Sequence, residues 1–453
     1  MIQADLLSPI PSEPAAPTTP GPRSGRYDSI ALAFLITCGL LAAPLLFAAR
    51  LPQGLLTVAA VTLLLVFAVR GLLTRSWLPR TAVDWPNVLL LLLLPVGLWA
   101  STDRSVSWPV IYKVIAGFAI FYGLAGLAGS RWLGTLPWLT LAASVSLALV
   151  VLFGTNWATA KLPWMPAAVY ELLPTMQLPG RTQGFHPNVA GGALAYLLLP
   201  AVALAFWSQR RLLQALAALT ALMLALALLL SQSRGAWLGV AAGLLLMPAL
   251  PYRRWRIGAA ALLASTLVLG LILGPERMQG LLFPAVVAEE AAVNTLPGRL
   301  ELWTRAVAMV RDFGVAGAGP GQFEQMTLVL YPPFFTGLQG NFFHAHNLYL
   351  QAAIDFGVLG LMALLALLLG VGAAIVAATR CWSAIAATDR STAALAIGVF
   401  GSLLALIVHG LVDAPQVASP SYALLFALFG AAMAISSQLV ASQRAGEPTA
   451  SPD

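Results

Sequence analysis

The chain has 453 residues, of which 59% are hydrophobic and only 9% charged, and its mean hydropathy is +0.85. Soluble domains carry about a quarter charged residues, so this composition excludes an ordinary soluble domain. No basic run interleaved with aromatics lies behind the formal charge of +7, which sets nucleic acid aside as a partner and leaves the Lys/Arg bias of membrane-protein loops as its source.

In chain order, residues 1–26 are rich in Pro and Ser, contain Asp5 and Glu13, and read as a disordered tail. The first apolar stretch, 29–49, is too long for a signal-peptide core and lacks a clear cleavage site, so it is expected to remain as a helix. Eleven more apolar segments follow, near 53–73, 87–100, 109–128, 133–153, 188–207, 212–230, 235–250, 257–274, 346–378, 391–412 and 420–440. A span needs roughly 20 mostly apolar residues. The third and eighth segments are short, and the tenth is long enough to tilt or to extend beyond the bilayer.

The pattern predicts an all-α polytopic membrane protein of about twelve transmembrane helices. Residues 27–274 hold the first nine, with an outer loop near 154–187. Residues 275–345 form a large outer helical cap between helices nine and ten, 346–440 hold the last three, and 441–453 are a tail. No internal repeat is visible. Cys38 lies in the first apolar segment and Cys381 in a late polar connection, so they form neither a pair nor a metal-ligand spacing.

Orientation follows from the positive-inside bias. With the N-terminus inside, the cytoplasmic connections hold Arg70, Arg75 and Arg80, then Arg131, then Arg210 and Arg211, then Arg253, Arg254 and Arg256, then Arg380 and Arg390, with Arg444 in the tail. The short outer connections hold far fewer, chiefly Arg104. Both termini are therefore expected in the cytoplasm and the cap outside. Within the cap, 299–313 has helical periodicity with Leu302, Ala306 and Met309 on one side, Pro297 and Gly298 make a start, and 314–321 (GVAGAGPG) reads as a turn.

The chain has four histidines, and two of them stand in His344-Ala345-His346-Asn347, where the cap meets the tenth segment. A neutral imidazole accepts a hydroxyl proton at working pH, which makes the pair a candidate base; a pair that merely caps the helix is the alternative. Histidines at i and i+2 would point apart on a helix. No Cys or third ligand stands close by in sequence, and Asp312, Glu324 or Asp413 would have to approach from elsewhere, so no metal is expected.

Arginines supply the next signal, because guanidinium groups keep their charge and bind phosphates bidentately. Arg181 precedes the sixth segment in Arg181-Thr182-Gln183-Gly184-Phe185-His186-Pro187-Asn188, Arg234 lies in Ser233-Arg234-Gly235-Ala236-Trp237, and Arg299 and Arg305 open the cap helix. Arg234 sits outside, against the positive-inside bias, and snorkelling to the interface is its plain alternative. For Arg305 and Arg311 a solvated helix face is the simpler reading. Asp413, after His409 and Gly410, either orients a histidine or ends a helix. The aromatics Trp157, Trp164, Tyr170, Tyr331, Phe334 and Phe335 on the same face suit an interfacial belt.

In this order, Arg-Thr-Gln-Gly-Phe-His-Pro-Asn at 181–188, Ser-Arg-Gly-Ala-Trp at 233–237, Gly-Arg-Leu-Glu-Leu-Trp at 298–303, Gly-Ala-Gly-Pro-Gly-Gln-Phe at 317–323 and His-Ala-His-Asn-Leu-Tyr-Leu-Gln at 344–351, the chain resembles the O-antigen ligase and O-antigen polymerase superfamily of bacterial envelope glycosyltransferases. The motifs cover roughly 175–360. The resemblance implies a donor glycan on undecaprenyl pyrophosphate in the outer leaflet of the inner membrane. The implied acceptor is a lipid A-core sugar for a ligase, a growing chain for a polymerase, or a protein in related members. It implies chemistry without a metal, cofactor or nucleotide sugar, with membrane lipids as the surroundings. Carried over, His346 matches the base position with His344 as helper, and Arg181, Arg234 and Arg299 match the pyrophosphate-binding positions; Asn188, Asn347, Arg305 and Asp413 support them. A transporter or flippase is the alternative from another class, although its charged groups are expected near the midplane of repeated units.

Overall fold

The structure is a computed structural model that describes residues 25–155, 157, 166–171, 173, 184–282, 296–334, 343–380, 382–385, 390–414 and 419–445. Arg181, Trp164, Phe335 and Cys381 lie outside the described residues, as do most of both expected tails. The described residues form α1 (Gly25–Leu46), α2 (Gln53–Thr74), α3 (Asp84–Ala100), α4 (Arg104–Ala125), α5 (Leu136–Gly154), α6 (Ala167–Glu171), α7 (Pro187–Trp207), α8 (Arg211–Leu230), α9 (Arg234–Leu246), α10 (Arg253–Leu282), α11 (Leu296–Asp312), α12 (Phe323–Val329), α13 (Leu348–Thr379), α14 (Arg390–His409) and α15 (Ser419–Ala445). Their only β-type contact is an isolated bridge between Thr155 and Phe185.

Lipid offers the backbone no hydrogen bonds, so long apolar runs close their own as helices. Among the described residues nine helices are long and apolar enough to cross a membrane, and Asp84–Ala100 and Arg234–Ala249 are shorter apolar ones. The chain is an all-helical polytopic membrane protein. The ninth apolar segment lies in α10, which runs on to Leu282 and so takes the first residues assigned to the cap.

The centre of the bundle is built by α7, α9 and α14, with α4, α13 and α15 packed beside them. Small residues make this possible, because without a hydrophobic force between helices close backbone approach supplies the attraction. A Cβ at Gly239 would lie 2.6 Å from the Ala405 carbonyl, and one at Gly243 would lie 2.9 Å from that of Gly401.

The tenth segment is not one continuous rod. α13 breaks at Phe356 and Gly357, where Gly357 adopts φ +71. The turn 314–321 enters this break: Ala318 donates to the Ile354 carbonyl at 2.7 Å, and Val358 donates to the Gly314 carbonyl at 2.8 Å. Backbone groups freed by the break are thereby satisfied. The other end of the turn is fixed by the fully buried Gln322, which accepts from the Thr102 hydroxyl at 2.8 Å and donates to the Asp103 carbonyl at 2.7 Å and to Ser107 at 3.0 Å. Leu302, Ala306 and Met309 of α11 are fully buried in a small second core with Phe323 and Ile354.

The arginine-rich connections gather at one end of the bundle. Ser208 meets Ser391 at 2.8 Å, Trp207 donates to Tyr252 at 3.1 Å, and Arg131 pairs with Asp28 at 3.8 Å. The histidines lie at the opposite end.

Candidate functional site

Four chain segments meet where α14 ends and α13 begins. Asn347 is the N-cap of α13, accepting from the Tyr349 and Leu350 amides at 3.0 Å each. Its own amide reaches the Leu411 carbonyl at 2.9 Å, and the Leu348 N–H donates to the Gly410 carbonyl at 2.8 Å. This cross-brace brings residues 344–347 against 409–413. Asn347 is thus occupied as cap and brace.

His346 does not lie on a helix. Its φ is +46, a left-handed conformation costing a non-glycine residue about 1–3 kcal/mol, although His tolerates it better than most residues. The turn brings the His344 and His346 rings to a centroid separation of 4.2 Å, with the His346 N–H donating to His344 Nδ1 at 3.1 Å. The expectation that the two rings point apart is corrected, because it assumed helical geometry.

His346 Nδ1 lies 3.1 Å from Asp413 Oδ1. Burial alone would raise the Asp413 carboxyl. The hydrogen bond from His346 and the fixed charge of Arg299 instead hold it well below the usual carboxylate range. An ionised carboxylate only accepts, so Nδ1 carries the proton and Nε2 is left as the basic atom. Burial pushes the His344 imidazole down to about 3, helped by the neighbouring His346, so His344 is neutral at working pH.

Arg299 lies beneath this pair, buried, with Nη2 at 3.8 Å from Asp413 Oδ2 and Nη1 donating to the Val412 carbonyl. Its Nε has no hydrogen-bond partner among the described residues. Arg234 opens α9. The next residue, Gly235, faces His409 and Val412 so closely that a Cβ there would lie 2.7 Å from His409 Cδ2. His409 Nε2 is in turn 4.0 Å from Asp413 Oδ2. The start of α7 adjoins, because a Cβ at Gly191 would lie 2.6 Å from Ser233 Cβ, and His186 is close enough to act on the charge of His344. His186 caps α7 by accepting from the Asn188 amide at 3.2 Å. The N-termini of α7, α9 and α13, the positive ends of their dipoles, therefore converge at one place.

Arg305 stands apart from this cluster. Nη2 lies 2.6 Å from Glu301, and the guanidinium covers the Phe334 ring at 4.4 Å. Its charge is balanced, while Arg311 is exposed. Tyr331 donates to Asp312 at the far end of α11. Trp157 and Tyr170 are buried rather than interfacial, with Tyr170 donating to the Leu230 carbonyl at 3.0 Å.

Donor atoms of His344, His346 and Asp413 lie within 4.8 Å of one another, a spacing that could gather a small cation. The fixed charge of Arg299 on the same carboxylate opposes one, and the cluster is better suited to holding an anion or moving a proton.

Residues 216–365 match the family model described as O-antigen ligase. The match spans about a third of the chain and shows that this segment is similar to the O-antigen ligase family. The match supports a ligase- or polymerase-type membrane enzyme of polysaccharide biosynthesis. No curated protein matched the chain. The O-antigen ligase match takes in Arg234, Arg299 and the 344–347 motif, while Asp413, His409 and His186 lie outside it.

Sequence reasoning left His186, His409 and Trp303 out of the site. Trp303 donates from Nε1 to the His346 carbonyl at 3.3 Å. The signal for the first two was available: all four histidines of the chain belong to this one cluster.

Proposed function

We propose that this enzyme transfers a glycan from undecaprenyl pyrophosphate to an acceptor sugar hydroxyl at the outer face of a bacterial inner membrane, in the manner of an O-antigen ligase. The observation that carries this reading is the His346–Asp413 pair with Arg299 against it. An Nε2 fixed as acceptor stands beside charges suited to a phosphate leaving group.

In the proposed reaction the acceptor hydroxyl oxygen forms a bond to the anomeric carbon, and the bond from that carbon to the pyrophosphate oxygen breaks. The hydroxyl proton passes to His346 Nε2, while the leaving undecaprenyl pyrophosphate keeps the electron pair. Arg234 at the N-terminus of α9, Arg299 through its unsatisfied Nε, and Arg181 stabilise the charge growing on that group. Asp413 holds the His346 tautomer. His344, kept neutral, shapes the turn, and His186 and Asn347 cap the helix starts around it, the former by accepting from the Asn188 N–H.

The positive-inside rule assigns the arginine-rich end to the cytoplasm and the histidine end to the outside, with both termini inside. Counting α3, α9 and α10 with the nine long helices gives twelve crossings. Placement of the charged groups at helix ends near one face favours an enzyme over a transporter, whose coupling charges lie near the midplane.

The test is to incubate purified protein with an undecaprenyl-pyrophosphate glycan and either lipid A-core or a second glycan donor. A lipid A-core conjugate identifies a ligase, and a lengthened lipid-linked chain identifies a polymerase. Absence of both products, with translocation of the donor across a vesicle, overturns the reading in favour of a flippase.

A further inference from the structure

We infer that Gln351 and Asp355 are positioning residues for the proposed transfer, which hold the His344–His346 turn from the membrane side without touching substrate. This rests on the reading of His346 as the base.

Ala345, between the two histidines, is fully buried, and its N–H donates to Gln351 Oε1 at 2.9 Å. Gln351 is itself buried, one turn into α13, and its Nε2 donates to Asp355 Oδ1 at 2.9 Å. The same Asp355 oxygen accepts from the Gly321 N–H at 3.1 Å. Asp355 directly precedes the break in α13, and Lys113 of α4 is the cation whose charge acts on it. Gln351, Asp355, Gly321 and Lys113 line an otherwise apolar cavity of about 140 Å³, whose wall also includes Phe343 and Leu348.

The chemistry of the two side chains gives the chain a direction. A glutamine amide can turn either end toward a neighbour, but the Ala345 N–H only donates and so takes Oε1, which leaves the NH2 end for Asp355. That orientation matters because the next residue holds a disfavoured φ of +46, which persists only where its surroundings over-determine it. Gln351 thus fixes the backbone that aims His346 at Asp413. Through Gly321, Asp355 ties the same device to the turn that fills the α13 break.

The experiment measures steady-state transfer by the full-length protein for Gln351→Ala, Gln351→Glu and Asp355→Asn, with His346→Ala in parallel. Folding of each variant is checked by its elution profile and melting temperature. Gln351→Ala is expected to lose about tenfold or more in kcat, with KM for the lipid-linked donor within about threefold, because it displaces the base and not the donor. Asp355→Asn is expected to lose less, since an amide oxygen can still accept. Gln351→Glu supplies the readout that a packing role would not move. Protonated, Glu reproduces both hydrogen bonds; ionised, it repels Asp355. The charged and titratable groups facing it are Asp355, Lys113 of α4, Tyr422 of α15 and, through Ala345, His344. Its rate relative to wild type should therefore rise as pH falls from 8 to 6.

Gln351→Ala with kcat within about twofold of wild type, or with a raised KM alone, overturns the inference, as does a Gln351→Glu ratio that is flat with pH. Full activity in His346→Ala overturns instead the underlying reading of the base. The two failures are thereby distinguishable.

Discussion

α7 and α14 are almost as apolar as α1 and α2, with hydropathies of 2.1 and 2.2 against 2.3 and 2.3, yet 78% and 72% of their membrane windows are buried against 28% for each of the outer pair. Hydropathy alone does not separate a helix that faces protein from one that faces lipid, since both surroundings are apolar. Backbone proximity does separate them. Gly398 of α14 leaves no room for a Cβ against Pro200 of α7, whereas a Cβ at Gly39 of α1 or Gly54 of α2 would meet nothing within 4 Å. The site hangs from the ends of the tightly packed helices, and its precision follows from theirs.

Apart from the base itself, the largest effect is expected at the site end of that packed core. Asp413→Asn removes the pure acceptor that fixes the His346 tautomer, and transfer should fall on the order of 10²-fold while the protein stays folded. A change of less than threefold would detach the carboxylate from the chemistry. Next comes the packing itself. Gly239→Val would force side-chain atoms into the Ala405 backbone, at a cost of about 1–3 kcal/mol, and should lower both melting temperature and transfer rate. Leu64→Ala in α2, at a residue 71% exposed toward lipid, is the control and should change neither; equal losses from the two would erase the distinction between core and periphery.

A smaller effect concerns pH. His344 has a folded-state pKa pushed down to about 3, from an ordinary value of 6.5. Between those values the unfolded chain binds a proton that the folded chain does not, so stability falls as pH drops through this window. Melting temperatures of wild type should decline from pH 7 to pH 4, and His344→Gln should flatten the slope. Asp413 adds to the same trend only below the ordinary carboxylate range, because its folded pKa is depressed. The smallest effect is expected at Arg305, whose i,i+4 pair with Glu301 is worth about 0.3–0.5 kcal/mol. Arg305→Ala should leave transfer within about twofold of wild type, and a larger drop would bring it into donor binding.

The contrast between the two helix pairs also marks how far the sequence could be read. Each apolar segment lies on a helix, because apolar length is a property of the chain itself. The break in α13 was illegible, since it depends on the turn at 314–321 docking from a distance. The His344–His346 geometry was misread for a related reason: two residues of spacing were interpreted on a helix that begins only at Leu348. Asp413 and His409 come from 67 and 63 residues beyond His346 (413 − 346 and 409 − 346), and only the fold brings them to it. Arg305 was legible locally. Read as part of a solvated helix face, it pairs with Glu301 one helical turn away.

The central claim is that His346 Nε2 takes the acceptor proton. The most direct measurement is single-turnover transfer from an undecaprenyl-pyrophosphate glycan by wild type and His346→Ala, each shown to be folded and to bind the donor. The predicted result is a loss of about 10²–10⁴-fold in the rate of transfer with donor affinity unchanged. A rate within about threefold of wild type would contradict it.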